Sequence, residues 1–222
     1  MPVDHTTQVE VENGFRQYDL TLDIIRYYLD PERPFALRVP LILDLQREAV
    51  AGIEAVPGEL RTIPVGITES KHTPPGPHLV ATYLTEFCNH INDNWHERTA
   101  FYLSAYAMWR LNWIHPFTDG NGRTSRALSY ALLSIKLGYV LPGAPTILQQ
   151  IEEDNSHYIK ALELADEAAR EEKENVDEMS RMIRAMLASQ LLSVIDAAGP
   201  IQTETVPLIV TPGSGLSRVE ED

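Results

Sequence analysis

Residues 115–126, HPFTDGNGRTSR, constrain the fold more than any other stretch of this 222-residue chain. They follow FYLSAYAMWRLNWI, apolar on almost every face, and they lead into TSRALSYALLSIKLGYV, apolar up to about Gly138. A surface helix keeps one polar face, so two segments lacking one are expected to be helices buried at the centre of the molecule. A loop joining buried helices needs little chemistry for packing. This one nevertheless carries an imidazole, a carboxylate, two glycines and two guanidiniums.

The order of these groups is informative. His115 precedes Pro116, and proline disfavours the α region for the residue before it, so the helix should stop near Ile114 with the imidazole at its end. Phe117 is the one large apolar group of the loop and is expected to pin it to the core. Gly120, Asn121 and Gly122 open the next helix. Glycines there permit close backbone approach, and a helix N-terminus behind such a turn binds anions. Arg123 and Arg126 share a helix face, in or beside a first turn whose dipole disfavours cations. A polyphosphate would offset that. Asp119 offers a hard oxygen suited to a magnesium ion shared with phosphates, and His115 can accept a proton from an incoming hydroxyl. Read together, the residues describe phosphoryl-group transfer from a nucleotide. The chain has no Walker GxxxxGK[ST], which disfavours a P-loop ATPase.

These residues meet every fixed position of H-x-F-x-[D/E]-G-N-G-R-x-x-R, and the stretch resembles the Fic family signature. Upstream, GELRTIPVGITESKHTPPGP resembles that family's β-hairpin flap and the Pro-rich turn after it; the resemblance covers roughly residues 10–195. It implies an all-α, Fic-type helical bundle with a small β-hairpin flap. N-terminal helices would occupy 1–56, the catalytic domain 57–195 with the flap at about 59–72, and a C-terminal tail 196–222. The implied activity is that of a protein adenylyltransferase, moving AMP from ATP to a Ser, Thr or Tyr hydroxyl of a target protein, with magnesium or manganese beside the nucleotide. By resemblance His115 is the general base and Asp119 the metal ligand. Phe117, Gly120, Asn121, Gly122, Arg123 and Arg126 form the nucleotide-binding set: the 120–122 backbone and Asn121 cradle phosphates, and the arginines grip the departing β and γ phosphates. Gly122 stands where the kinase-type Doc relatives carry lysine, which favours nucleotidyl transfer. Thr62, Ile63, Val65, Gly66 and Ile67 of the flap would hold an extended target segment by strand addition.

Many relatives are restrained by a helix of pattern [S/T]-x-x-x-E-[G/N], whose glutamate pairs with the arginine equivalent to Arg126. Glu12-Asn13 matches its end, although Gln8, not Ser or Thr, stands four residues earlier. Glu12 is therefore the candidate inhibitory residue. An inhibitory partner chain and a homo-oligomer are the other partner readings.

The remaining chain reads as helices punctuated by Pro and Gly. Residues 1–12 are expected to be loose, with a helix from Asn13 whose core side carries Phe15, Tyr18, Leu22, Ile25, Tyr28 and Leu29. A second helix is expected from Pro40 to Pro57-Gly58, and a third from Pro77, proline being well tolerated in a first turn. RTIPVGI, β-branched but broken by Pro and Gly, is expected to be a small edge hairpin. Thr146 and Gln149 form a capping-box pattern. Met179, Met182, Ile183, Met186, Leu187, Leu191, Leu192 and Ile195 give a last amphipathic helix, and VPLIV follows in a tail that is either flexible or a strand.

A formal net charge of −14 argues against a nucleic-acid partner. The lone Cys88 excludes an intrachain disulfide and falls on a core face. No membrane-length apolar run and no signal-peptide pattern occur, so the cytoplasm is the expected location. Two other functions fit the loop. One keeps the machinery but transfers another nucleotide or phosphodiester group, or removes AMP. The other is a nucleotide-binding interaction module without turnover.

Overall fold

The computed structural model describes residues 5–68 and 70–199, and among them every regular element is helical. The helices are α1 His5–Tyr28, α2 Val39–Val50, α3 Val80–Asp93, α4 Ala100–Ile114, α5 Asn121–Leu137, α6 Ile147–Glu153, α7 Ser156–Arg170 and α8 Asp177–Ala198. A 3₁₀ turn, Pro77–Leu79, leads into α3.

The two apolar segments form the central pair. Leu103, Ala105, Ala107, Leu111 and Ile114 of α4 and Leu132 and Leu133 of α5 have no exposed surface. Each fully buried Leu or Ile contributes about 1.5–3 kcal/mol. The helices approach closely at Ser104 and Ser129, whose small side chains place their hydroxyls 2.7 Å apart. Thr99 caps the start of α4 by accepting from the Tyr102 N–H. Gly138, at φ 87°, closes α5 and donates to the Ser134 and Ile135 carbonyls. Around this pair, α1 and α2 pack against α5, α3 and α8 against α4, and α6 between α5 and α8. One hydrophobic core runs through all of them.

Several expectations change in detail. The first helix begins at His5 and passes through Gly14, so residues 5–12 are ordered helix rather than loose chain. Its buried stripe is Asn13, Gln17, Thr21 and Ile25, whereas Phe15 is 68% exposed. The reason is that α1 faces backbone: Asn13 donates to the Ala51 carbonyl at 2.9 Å and Gln17 to the Leu45 carbonyl at 2.9 Å. A polar stripe satisfied in this way has no hydrophobic periodicity to read. Helix α2 ends at Val50, and residues 51–58 are turns with Gly52 and Gly58 at positive φ.

The expected β-hairpin over 59–72 is not formed as paired strands: its described residues are irregular, with bends at 63 and 71 and a turn at 68, and carry no ladder. Pro64 lacks an N–H, Gly66 weakens strand order, and the main-chain bonds lead elsewhere. Arg61 donates to the Pro116 carbonyl, and Ser70 turns back on Ile67. The capping box of Thr146 and Gln149 is present. Cys88 is buried, and burial pushes its thiol up to about 12. Met179 and Met182 are buried in α8, while Leu192 and Ile195 further along it are exposed. That helix extends to Ala198, into the expected tail; VPLIV lies outside the described residues.

Candidate active site

The bottom of the site is built by α4 stopping. His115 takes a left-handed conformation, φ 49° and ψ 61°, and its N–H still donates to the Leu111 carbonyl. The pre-proline restriction was expected to expel it from the right-handed α region; the left-handed solution is the rarer exit and is costly for a residue with a Cβ, about 1–3 kcal/mol. The ring is fixed by one bond, Nδ1 to the Asn112 carbonyl at 3.2 Å. A carbonyl only accepts, so Nδ1 carries the proton and Nε2 presents its lone pair. Burial lowers the His115 pKa, opposed by the Asn112 bond and reinforced by the Arg61 and His72 charges. The imidazole is therefore neutral at pH 7, as a base must be.

The loop then closes on itself. Phe117 is fully buried. Asn121 accepts from the Phe117 N–H at 3.0 Å and donates to the Phe117 carbonyl at 2.9 Å. One donor and one acceptor of the Asn121 amide are thus used inside the loop, where this side chain shapes the cradle. Phe117 likewise anchors the loop from beneath. Gly120 caps α5 at φ 79°, and a Cβ there would stand 2.8 Å from Val50 Cγ1. Only glycine fits. The first intrahelical bond of α5 runs from the Thr124 N–H to the Gly120 carbonyl, so the N–H groups of Asn121, Gly122 and Arg123 lie ahead of the ladder and can receive an anion. His115, Asp119, Gly120, Asn121, Gly122, Arg123 and Arg126 line one cavity of about 250 Å³ together with Thr118. Arg123 bonds Asp119 at 2.8 Å and the Ala49 carbonyl at 2.9 Å. Arg126 lies over the Tyr158 ring, 5.8 Å from its centroid.

A residue pattern of this kind has relatives. The model of the Fic/DOC family matches residues 36–133. The chain is 33% identical over 153 residues to Protein adenylyltransferase Fic of Drosophila persimilis, covering 67% of this chain and 28% of that protein. It is 32% identical over 153 residues to the protein of the same name from Drosophila melanogaster, covering 67% and 29%. In fold it is similar to Fic-1 from C. elegans, with a TM-score of 0.67 at 23% identity over 89% of this chain and 54% of that one. A Fic family protein from Desulfovibrio desulfuricans G20 gives a TM-score of 0.60 at 17% identity, over 90% and 69%. The chain belongs to the Fic/DOC family. It spans little more than a quarter of the length of these curated relatives.

Within the Fic loop, a metal ion would have one protein carboxylate. Among the described residues no group of three His, Cys, Asp or Glu side chains could hold an ion by itself. A single partly exposed Asp119 fits magnesium, which keeps waters and binds through phosphates. The sequence-predicted docking residues are accessible: Thr62, Ile63 and Gly66 are exposed and Val65 and Ile67 half-buried.

Glu12 is not placed to restrain the Fic loop. It is exposed and accepts from Gln8, one turn earlier on α1. One turn of α1 instead brings Glu10 towards the site, with Oε1 at 3.9 Å from Arg123 Nη1. The signal was present in part, because Thr6 stands four residues before Glu10; Val11 in place of Gly or Asn hid it. Gln46 and Arg61 were also missed. Gln46 is buried, donates to the Asp119 carbonyl at 3.1 Å and accepts from the Gly58 N–H. Arg61 is 4% exposed and bonds the carbonyls of Ile63, Pro75, Ile114 and His115. Both act on main-chain atoms of distant segments, which no local pattern encodes.

Proposed function

We propose that the chain is a protein adenylyltransferase that transfers AMP from ATP to a Ser, Thr or Tyr hydroxyl of a target protein. One observation carries the reading. His115, neutral and with Nε2 unengaged, shares a single cavity with the α5 N-terminus, two arginines and a carboxylate. A base and an anion cradle on one cavity are what in-line transfer of a nucleotidyl group requires.

In the step proposed, the target hydroxyl oxygen forms a bond to the α-phosphorus as the bond from that phosphorus to the α–β bridging oxygen breaks. The hydroxyl proton passes to His115 Nε2, and pyrophosphate departs. The N–H groups of Asn121, Gly122 and Arg123 face the accumulating charge, already oriented by the Phe117–Asn121 bonds, so no reorganisation is needed during the reaction. Arg123 and Arg126 hold the leaving phosphates. Arg123 is kept pointing into the cavity by the Ala49 carbonyl and Asp119. Magnesium or manganese, held by Asp119 with the phosphates, would neutralise part of the triphosphate charge. No serine or cysteine of this chain is needed as nucleophile, because the target supplies it. An extended target segment docks along 62–67, where exposed backbone permits strand addition without a preformed hairpin. The protein acts in the cytoplasm. Among the described residues no helix is long and apolar enough to cross a membrane.

Glu10 replaces Glu12 as the residue that restrains the site, by competing with phosphate for Arg123. An inhibitory partner chain is unnecessary on this reading.

The test is intact-mass spectrometry of the wild type and His115→Ala after incubation with ATP, magnesium and a cell lysate. An AMP-sized increment on any protein, lost in the variant, supports the assignment. ATP binding with no increment in either would leave a nucleotide-binding module instead.

A further inference from the structure

Arg61 brings a full positive charge to a place where 4% of its surface is exposed. None of the ion pairs among the described residues includes it. A buried cation without an acid is unfavourable unless its donors are answered. Here they are answered entirely by main chain. Nε donates to the His115 carbonyl at 2.6 Å and Nη1 to the Ile63 carbonyl at 3.1 Å. Nη2 donates to the Pro75 carbonyl at 2.6 Å and, more weakly, to that of Ile114 at 3.4 Å. The Arg61 N–H adds a bond to the Pro116 carbonyl at 2.9 Å.

These acceptors belong to three separate stretches. Ile114 and His115 end α4, where unpaired carbonyls and the negative end of the helix dipole suit a cation. Ile63 lies within the accessible 62–67 segment, and Pro75 within the Pro-rich turn that closes it. His115 itself is in a left-handed conformation that its own side chain does not favour. Something outside the loop must hold it, and the bond from Arg61 Nε to the His115 carbonyl acts on that very peptide unit.

We propose that Arg61 is a positioning residue: by bridging Ile63, Pro75 and the 114–115 carbonyls, it fixes the distance between the target-docking segment and the His115 imidazole. This rests on the adenylyltransferase reading. Nothing in the cradle at 120–126 is bonded to Arg61, so nucleotide binding and alignment of the target are separable. Lysine cannot replace it, since a point charge lacks the planar fork that serves several carbonyls at once.

The experiment uses the full chain as wild type, Arg61→Lys and Arg61→Gly. Nucleotide affinity is measured by calorimetry with ATP and magnesium, transfer by radiolabelled ATP with a cell lysate as acceptor, and backbone opening by hydrogen exchange. The expected result for Arg61→Lys is faster exchange confined to peptides covering 59–76 and 114–117, with ATP affinity within about twofold and labelling slower by about 10²-fold, the cost of a small misplacement of reacting groups. Guanidinium ion added to Arg61→Gly restores part of the rate. Exchange and labelling equal to wild type in Arg61→Lys would overturn the proposal. So would faster exchange across α4 and α5 with loss of ATP affinity, because Arg61 would then hold the fold rather than the alignment. Should the wild type label nothing, the transferase reading fails separately. The exchange data still decide whether Arg61 ties the two segments: local acceleration supports the tie, and no change refutes it.

Discussion

The 115–126 loop and the 59–72 segment both border His115, yet they meet their polar requirements in opposite ways. In the loop, Asn121 answers Phe117 at both N–H and carbonyl, Arg123 answers Asp119, and Ser125 answers the Gly122 carbonyl. The backbone is shaped before any ligand arrives. In the 59–72 segment, described residues make few main-chain bonds of their own, and a single buried arginine supplies most of the anchoring. A cradle for a fixed triphosphate gains from rigidity, whereas a docking edge for varied targets gains from an open backbone. On the proposed reaction, preorganisation is concentrated where charge would develop.

Substitutions can break that contrast. The largest effect is expected from His115→Ala, which removes the base but not the cradle: transfer falls about 10²–10⁴-fold while ATP affinity, measured by calorimetry, is kept. Equal losses in both would mean that His115 holds the loop rather than the proton. Next comes Gly120→Ala, where a left-handed φ of 79° and a Cβ 2.8 Å from Val50 should lower stability by about 1–3 kcal/mol in urea titration. A loss under about 0.5 kcal/mol would show the loop to be pliable after all.

The docking edge sharpens the comparison at smaller scale. Val65→Pro removes one N–H and should slow transfer about two- to tenfold, the worth of one hydrogen bond, whereas Thr62→Ala should stay within about twofold because no side-chain readout is proposed there. If Thr62→Ala is the more damaging, docking depends on side chains and the open-edge picture is wrong. Glu10→Gly should raise basal transfer about two- to fivefold, since a 3.9 Å half-exposed ion pair is worth little; Glu12→Gly should leave it unchanged. The smallest effect is in pH. Burial lowers the His115 pKa, so the folded protein keeps a neutral imidazole below 6.5, and the acidic limb of the rate should fall below that value. The same sign makes acidification destabilising: the unfolded chain takes up this proton first, and the penalty grows as pH drops through the unfolded value towards the folded one.

Read without a structure, the chain discloses its chemistry and its centre. The runs on either side of residues 115–126, apolar on almost every face, read as buried helices, and Phe117, Gly120 and the paired arginines are legible because each meets a local steric or electrostatic demand. The capping box at Thr146 is of the same kind. Elements whose partners are distant behave otherwise. The α1 stripe is polar at Asn13 and Gln17 because these serve the carbonyls of Ala51 and Leu45, and at Thr21, which bonds the Gln17 carbonyl within the helix, so it lacks the periodicity that marks a helix face. Glu10 rather than Glu12 meets Arg123 because of how α1 is rotated against α5, and a two-residue change on a helix turns the side chain by more than half a turn. Arg61 looks like any loop arginine until α4 ends beneath it. Hydrophobic and steric patterns are written in neighbouring residues, while a hydrogen bond to a main-chain carbonyl across the fold leaves no trace in the acceptor's identity, and only the tertiary structure decides it.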